Sequence, residues 1–554
     1  MATGADGHSF ANFMAVIEQQ SFFNRKQSYN FASGVTTWLK LWHVRLAGSR
    51  DGQDAIDALA AYYRMLEKTT THRTSWQHRG EETAAAEVRA DGRVNSALRA
   101  YHRQSRKYSS YLTSFIVSVG KLRDCLAVHV ANAFFNNWAQ LMLSQAREQR
   151  QTVDKQATII IDILQENFKK STLDTKLFPD GEWTCVQVFT GGMNTTGLFV
   201  RHNSTNTIID RVVRKVEYKS SSSWNDDTFW KDSVDSDGED EQMPSEAFFT
   251  QKCGDASSSH FVLLRGWSTD ESDYEINIYT QYCGLGDLYG LCRRYRENSQ
   301  TMPESWLRYL FLHLSQACLY MLENALEPRD VEDWEEEIVH RDIKPSNIFL
   351  GPKGSGSFTF PAYPLPRLAD FGLAFGTGDG DPENPTAFAT QRSGTTWFRP
   401  PEQVDSAALT DAPKKYSEWE VGNDEQILKW SNIYGIGMTM YYLIRTGPWD
   451  SRRHPFIVTN SGARRLRSYQ TSYSTTLIRL IEACIQKTPT DRIEPEDLKE
   501  RLKDLIATDN YDVDAINGEQ PVNTGRDLQF LPTPENYRVG FANADLAAIL
   551  AQQA

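Results

Sequence analysis

With 554 residues the chain is too long for one compact core, so we expect two or three domains. Its hydrophobic fraction of 40% is ample for globular folding, and seven scattered cysteines without a CxxC pair argue against a zinc site. Residues 1–178 contain 23 Lys and Arg against 16 Asp and Glu, whereas residues 179–554 contain 36 against 56. This change of charge predicts a domain boundary near residue 178.

The start of the chain lacks a basic stretch followed by an apolar core, and no apolar run approaches the roughly 18–20 residues of a membrane span. We therefore expect a soluble, cytoplasmic protein without a membrane span, with the nucleus as an alternative compartment, and we expect no nucleic acid as partner. A solvated helical surface explains the basic excess before residue 178 better than an acidic partner does.

The first part of the chain, residues 1–178, is predicted to be all helical. Stretches 54–68, 81–108, 111–130 and 153–169 combine polar and apolar residues with few Pro or Gly, which is typical of amphipathic helices. Two roles stay open for this region. It is either a bundle that binds a protein partner or an extension that packs on the next domain.

Beyond Gly181 the composition predicts strands. Segments 182–190, 197–202 and 207–218 are rich in Val, Ile, Phe and Thr and are separated by turn residues, which indicates antiparallel pairing. The segment 219–242 is rich in Ser, Asp and Glu. Because such a composition buries little apolar surface, we predict a flexible loop there.

The order of the remaining elements predicts an α+β fold. A helix containing Glu246 and two further strands complete a small antiparallel-sheet lobe at about 181–282, and helical patterns fill a larger lobe at about 283–505. A cleft between two lobes is a usual place for a ligand. Residues 506–554 are predicted to form a polar tail with a short helix at 542–551. A tail that straps onto the rest of the chain and a disordered tail both stay open.

The strongest motif is HRDIKPSN at residues 340–347, followed by DFG at 370–372. Two carboxylates, one lysine and one asparagine at this spacing suit phosphoryl transfer, which needs a proton acceptor and oxygen ligands for Mg²⁺. Here the sequence resembles the eukaryotic protein kinase family, over roughly residues 181–505. The resemblance implies a two-lobed fold, binding of ATP with Mg²⁺, and transfer of the γ-phosphoryl group to a protein hydroxyl.

The resemblance also implies a role for each polar residue of these motifs. Asp342 is the expected catalytic base, and Asn347 and Asp370 are the expected metal ligands. Lys344 should neutralise charge on the transferred phosphoryl group, and a lysine here resembles the serine/threonine branch. In that branch Thr395 should lie near Asp342 and Lys344.

The small lobe is expected to hold ATP. Lys215 ends the sequence VVRK, which is similar to the family's VAIK strand, so it should hold the α- and β-phosphates with Glu246, rather than Glu241, as its partner. The phosphate loop is expected in GGMNTTGLFV at 191–200, although its glycine register departs from the family pattern. Loop glycines and hinge residues complete the expected nucleotide contacts: Gly191, Gly192, Gly197, Gln281, Cys283 and Asp287.

The end of the activation segment is also recognisable in the sequence. Glu402 lies in PPE, where the family has APE, and Arg492 matches the arginine that pairs with this glutamate. Arg341 beside the base suggests control by phosphorylation of the segment, with Thr390 and Ser393 as the candidate sites.

One departure lies beneath the catalytic loop, where Asn432 stands in place of the family's Asp. An amide accepts a hydrogen bond more weakly than a carboxylate. Asn432 and the irregular glycine loop favour an alternative, a pseudokinase acting as a nucleotide-binding scaffold. The retained Lys215 and Asp342 favour an active kinase, whose acidic surface hints at basic protein substrates.

Overall fold

The structure is a computed structural model. It describes residues 50–88, 94–127, 133–189, 195–219, 221–234, 240–272, 274–323, 337–353, 363–378, 394–395, 398–403, 427–445, 473–508 and 537–553. The chain forms two compact units, the first ending at Lys170 and the second beginning at Ser171. None of the helices in the described ranges is long and apolar enough to cross a membrane.

Three long helices make up the described part of the first unit. They are α1 (Arg50–Val88), α2 (Val94–Ala127) and α3 (Ala133–Lys169). Helix α2 packs against both α1 and α3, and apolar residues at helical spacing fill the core. Within the described ranges the predicted helical region is thus confirmed as far as Lys169, whereas residues 171–178 lie outside any helix. The predicted stretch 81–108 spans the end of α1 and the start of α2.

The second unit begins with a small lobe built on an antiparallel sheet. The strands are β1 (Trp183–Phe189), β2 (Thr195–His202), β3 (Ile208–Tyr218), β4 (Trp230–Val234), β5 (Asp240–Pro244), β6 (Leu264–Asp270) and β7 (Glu275–Thr280). Five of them form one sheet in the order β1-β2-β3-β7-β6. Because side chains alternate along a strand, Lys215 and Val213 share one side of this sheet, which we call the cleft face.

The opposite face of the sheet is tied to the segment that follows α3. The Arg214 guanidinium donates to Ser171 Oγ (2.8 Å) and Asn277 Oδ1 (2.8 Å) and forms an ion pair with Glu275 (3.1 Å). Arg214 is buried. A buried guanidinium is tolerated because its donors are used by these partners.

The predicted flexible loop over 219–242 is wrong for most of its length. It contains a helical turn at Ser221–Trp224 and the hairpin of β4 and β5. Trp230 Nε1 donates to the carbonyl of Trp224 (2.7 Å), and the two rings meet edge to face. Met243 is buried at the end of the hairpin. These few large apolar side chains order a segment whose average composition is polar.

The hairpin leads directly into α4 (Ser245–Ala256), which packs against β4, β5 and β6. The larger lobe contains helices α5 (Leu288–Glu297), α6 (Glu304–Glu323), α7 (Lys429–Ile444), α8 (Thr475–Cys484) and α9 (Pro495–Thr508). Short strands β8 (Glu337–Val339), β9 (Ile348–Lys353), β10 (Pro364–Leu368) and β11 (Phe375–Thr377) pair as β8-β11 and β9-β10.

The core of the large lobe is organised around α6 and α7. Nearly every residue of α7 is buried, as expected for a helix that is hydrophobic all round. Helix α6 packs against α7, α9 and β8, which positions the segment after β8. The predicted two-lobed α+β fold is therefore confirmed. In the tail, a last helix α10 (Ala544–Gln553) agrees with the predicted helix at 542–551.

Candidate active site

Three charged residues from three elements meet on the cleft face. Lys215 of β3 donates to both carboxylate oxygens of Glu246 (2.7 Å each) and to Asp370 Oδ1 (2.8 Å). Glu246 lies in the first turn of α4 and is buried. The rival carboxylate, Glu241, is exposed on β5. The predicted partnership of Lys215 with Glu246 is present in the structure.

The electrostatics of this cluster follow from burial and charge. Burial alone would lower the pKa of Lys215, but the carboxylates of Glu246 and Asp370 outweigh it and raise the pKa above its usual value. For Asp370 burial opposes ionisation, yet Lys215 lowers its pKa. Burial raises the pKa of Glu246, an effect that Lys215 offsets only in part. The ammonium group is therefore held charged between two carboxyl groups.

The close approach of these chains depends on a glycine. A Cβ at Gly372 would lie 2.9 Å from Glu246 Oε2, so a side chain at this position would displace the Glu246 carboxylate. The preceding Asp370 has φ of 69°, a left-handed conformation that costs an aspartate energy. The tight turn of DFG thus aims the Asp370 carboxylate at Lys215.

The catalytic loop brings a second group of predicted residues together. Lys344 Nζ donates to Asp342 Oδ2 (2.6 Å) and to Thr395 Oγ1 (2.8 Å). The backbone N–H of Thr395 donates to Asp342 Oδ1 (2.8 Å). Asn347 Nδ2 donates to the Asp342 carbonyl (3.1 Å) and contacts its carboxylate at 3.3 Å. Asp342 is therefore fixed from three sides.

Hydrogen bonds also join this loop to the DFG turn. The ring of His340 contacts the carbonyl of Ala369 through Nε2 (3.1 Å), and Ala369 N donates to the carbonyl of Asn347 (3.0 Å). His340 is fully buried, and burial lowers its pKa, so its imidazole is neutral. The two acidic motifs are thus directly connected by hydrogen bonds.

Beneath the loop, Asn432 of α7 uses both ends of its amide. Its Oδ1 accepts from the backbone N–H of His340 (2.9 Å), and its Nδ2 donates to the carbonyl of Ile338 (2.8 Å). A carboxylate could accept the first bond but could not donate the second. The sequence indicated only that Asn432 accepts a hydrogen bond more weakly than an aspartate would. In the structure its amide also donates a second bond, to Ile338, that an aspartate could not make.

A buried ion pair holds the end of the predicted activation segment. Arg492 donates to both carboxylate oxygens of Glu402 (2.7 Å each), and both side chains are fully buried. Ser431 Oγ donates to Glu402 Oε1 (2.8 Å). The fork of two parallel bonds gives the pair a fixed geometry. The two residues predicted to pair across 90 positions are in contact.

The predicted hinge residues lie between β7 and α5. The backbone N–H of Gln281 donates to the carbonyl of Leu263 (2.9 Å), and its side-chain oxygen accepts from Arg367 (2.5 Å). Cys283 is buried. Asp287 caps α5 by accepting from the backbone N–H of Gly290 (2.6 Å), a role that the sequence did not suggest.

Other predicted residues are only partly placed. Gly197 lies within β2, opposite Val188 and Arg214. Arg341 has φ of 61°, donates to the carbonyl of Leu373 and lies over the ring of Phe375 (4.7 Å), and burial lowers its pKa to about 10. Four predicted site residues lie outside the described ranges: Gly191, Gly192, Thr390 and Ser393.

The part of the chain that holds these residues is similar to known proteins. Residues 228–502 match the family model described as the protein kinase domain. The chain is 26% identical over 236 residues to the G2-specific protein kinase fin1 of Schizosaccharomyces pombe, covering 41% of this chain and 28% of that protein. It is 27% identical over 234 residues to the G2-specific protein kinase nim-1 of Neurospora crassa, covering 39% and 23%.

A solved structure of the CAK complex from Chaetomium thermophilum bound to ATP-gamma-S aligns at 18% identity with a TM-score of 0.36, covering 57% of this chain and 89% of that chain. The chain spans about a quarter of the length of the two curated relatives. The family match begins after β3 and so contains Glu246, Asp342 and Asp370 but not Lys215. The contact of Lys215 with Glu246 and Asp370 joins that strand to the matched region.

Proposed function

Because this chain belongs to the eukaryotic protein kinase family, we propose that it transfers the γ-phosphoryl group of ATP to a serine or threonine hydroxyl of a protein substrate. The observation that carries the proposal is the position of Lys344, whose ammonium group donates to both Asp342 Oδ2 and Thr395 Oγ1. These bonds place a carboxylate, a cation and a hydroxyl around one point of the cleft.

Asp342 would orient the substrate hydroxyl and accept its proton during transfer. Its carboxylate is held by the N–H of Thr395 and by Lys344, so it is fixed before the substrate arrives and needs little reorganisation. Lys344 would then stabilise the negative charge that spreads over the transferred group. Transfer breaks the bond between the β–γ bridging oxygen and the γ-phosphorus, forms the phosphoester bond and leaves ADP.

On the nucleotide side, Lys215 would hold the α- and β-phosphates, with Glu246 keeping it in position. The hinge backbone at Gln281 and Cys283 would bind adenine, Asp287 would reach the ribose, and the glycines of 191–197 would cover the phosphates. The charged state of Lys215 supports this role, because both of its carboxylate neighbours stabilise the ammonium form.

The donor set also fits a Mg²⁺ ion. The Asn347 amide nitrogen donates to Asp342, so its oxygen remains as the donor to a cation, and Asp370 supplies a carboxylate. Hard oxygen donors of this kind are those that Mg²⁺ prefers. A bound Mg²⁺ would neutralise charge on the phosphates, while Asn347 and Asp370 would fix its position relative to Asp342.

Phosphate transfer from labelled ATP with Mg²⁺ to a generic basic protein tests the proposal. We expect Asp342→Asn and Lys215→Ala to lower the rate by at least about a hundredfold. Two exposed residues of α9 provide matched controls, Asp504→Asn and Lys503→Ala, and these should leave the rate unchanged. Equal transfer by Asp342→Asn and the unchanged chain would refute an active kinase.

The same assay separates the kinase from a pseudokinase scaffold. A scaffold would bind ATP in a direct titration but would show no transfer that depends on Asp342. The use of a basic acceptor follows from the net charge of −20 over residues 179–554, since 36 basic residues face 56 acidic ones. We propose the cytoplasm as the compartment and a protein partner for the N-terminal helices.

A further inference from the structure

An apolar patch continues the cleft face beyond Lys215. Leu198 lies directly opposite Val213 across β2 and β3, and Val200 lies opposite Arg211, on the same face of the sheet. Leu198 and Val200 have no exposed surface, and Ile208 at the start of β3 is 1% exposed. Side chains of the tail contribute to this burial.

The tail segment 537–553 is packed against this patch. Tyr537 and Leu546 form one buried cluster with Leu198, Val200 and Ile208. Around it pack six partly buried residues from β1, β3, the hinge and α10: Val186, Phe189, Val213, Tyr282, Ile549 and Leu550. Leu546 has no exposed surface, which makes it the anchor of the contact.

Backbone hydrogen bonds fix the segment beside the turn between β2 and β3. The carbonyl of Phe541 accepts from Ile208 N (3.0 Å), the carbonyl of Ile208 accepts from Gly540 N (2.9 Å), and the carbonyl of Asn206 accepts from Asn543 N (3.0 Å). The side chain of Asn543 then caps α10 by accepting from Leu546 N (3.2 Å). The position of α10 is therefore determined at its first turn.

We propose that residues 537–553 exclude the nucleotide in cis, because they cover the apolar surface on which the adenine ring of ATP would lie. This inference rests on the proposed function. Val213 and Lys215 are two residues apart on one face, a distance of about 7 Å along a strand. This distance is similar to the one that the ribose spans between the base and the phosphates of ATP. The hinge residue Tyr282 packs against the same cluster. It lies in the chain between Gln281 and Cys283, whose backbone groups would bind adenine.

Release of the tail would then precede or accompany ATP binding. The apparent affinity for a ligand falls by the fraction of molecules that are competent to bind it. Burial of Leu546 stabilises the covered state, and a charge at this position would favour the released state because a carboxylate loses its hydration when buried. The Lys215 ammonium is held by Glu246 and Asp370, and neither belongs to the tail, so release would change access rather than the partners of this lysine.

Direct titration of the full chain with ATP, without a protein acceptor, tests the inference. We expect Leu546→Asp to bind ATP about tenfold more tightly than the unchanged chain. Ala548→Asp is the matched control, since Ala548 is exposed on the same helix, and it should leave the affinity unchanged. Equal or weaker binding by Leu546→Asp would overturn the role of the tail. If neither chain binds ATP, the proposed function fails together with it.

Hydrogen exchange of the unmodified chain gives a second test that needs no substitution. Saturation with ATP should speed exchange of the amides of α10 and of Ile208, whose bond to Phe541 would be lost on release. Slower or unchanged exchange in residues 537–553 with ATP bound would show that the segment stays in place, and would contradict the inference.

Discussion

Asn432 links the strand before the catalytic loop to α7 through a single amide. Its two hydrogen bonds, to His340 N and to the Ile338 carbonyl, are both buried. Removal of such a side chain leaves a buried donor and a buried acceptor without partners. Asn432 therefore contributes to the position of the loop that carries Asp342.

We expect Asn432→Ala to lower the free energy of unfolding by about 1–3 kcal/mol and to reduce phosphate transfer. Urea unfolding followed by tryptophan fluorescence measures the first effect. Asn225→Ala, at an exposed asparagine of the small lobe, is the control and should change the unfolding midpoint little. An Asn432→Ala protein as stable as this control would contradict the supporting role.

Two buried imidazoles make stability depend on pH. His260 and His313 are stacked with ring centroids 3.9 Å apart, and His260 contacts Gln316 through Nε2. Burial lowers the pKa of His260 to about 4 and that of His313 well below its usual value, and the nearby Arg367 adds to both effects. Below about pH 6.5 the two histidines therefore bind protons in the unfolded state but stay neutral in the folded state, down to lower pH.

Stability from these rings should be complete above about pH 6.5 and should fall as the pH drops from there toward 4. Unfolding midpoints in urea near pH 7 and near pH 5 measure the loss, which His260→Gln should reduce. His78→Gln is the control, because His78 is exposed on α1. A midpoint that does not change between the two pH values would refute the prediction.

At the scale of elements, the buried pair of Glu402 and Arg492 connects the segment before α7 to the turn before α9. Breaking a buried pair leaves one charge without compensation, which typically costs about 3–5 kcal/mol. We expect Glu402→Gln to lower the free energy of unfolding by several times more than Glu500→Gln, whose partner Lys503 is exposed. Comparable losses in the two variants would contradict this.

Elements with a strong local signal could be predicted from the sequence, and so could the pairs of Lys215 with Glu246 and of Glu402 with Arg492, whose residues lie in recognisable motifs. Contacts between segments without a motif could not. Asp342 and Lys344 lie in one continuous motif, and the resemblance of VVRK to the family's VAIK strand identified Lys215, with Glu246 on the following predicted helix as its expected partner. The hairpin of β4 and β5 was not predicted because Trp230 and Met243 stand among many acidic residues, which give the segment a polar average composition. The apolar-leaning composition of 542–551 indicated a helix, but nothing in this segment indicated which surface the helix covers.

The whole molecule divides into two units, and the first carries a core of its own. Helices α1 to α3 bury aromatic and aliphatic side chains, including Tyr62, Tyr108 and Phe115, and Trp76 donates to Ser105 across α1 and α2 (3.0 Å). All of these residues lie within the first unit. The two roles left open for residues 1–178, a helical bundle that folds by itself and an extension that packs on the next domain, can therefore be distinguished by a direct test.

We expect a fragment of residues 1–178 to be helical by circular dichroism and to unfold in one cooperative thermal transition. Trp76→Ala should lower its melting temperature because the ring is buried. The exposed Leu141 provides the control Leu141→Ala. A fragment that gives a coil spectrum would favour an extension that folds only on the following domain.

The buried network of Arg214 has a consequence for how β3 finds its partners. A slip of one residue in the pairing of a strand turns every side chain to the other face. Such a slip would place Arg214 in the cleft and Lys215 against Asn277 and Glu275. In the observed register, three nitrogens of the Arg214 guanidinium donate hydrogen bonds on that face. An ammonium group cannot reproduce that fork. Arg214 and Lys215 are thus not interchangeable. The buried contacts of Arg214 on the opposite face of the sheet favour the register of β3 in which Lys215 faces Glu246 and Asp370.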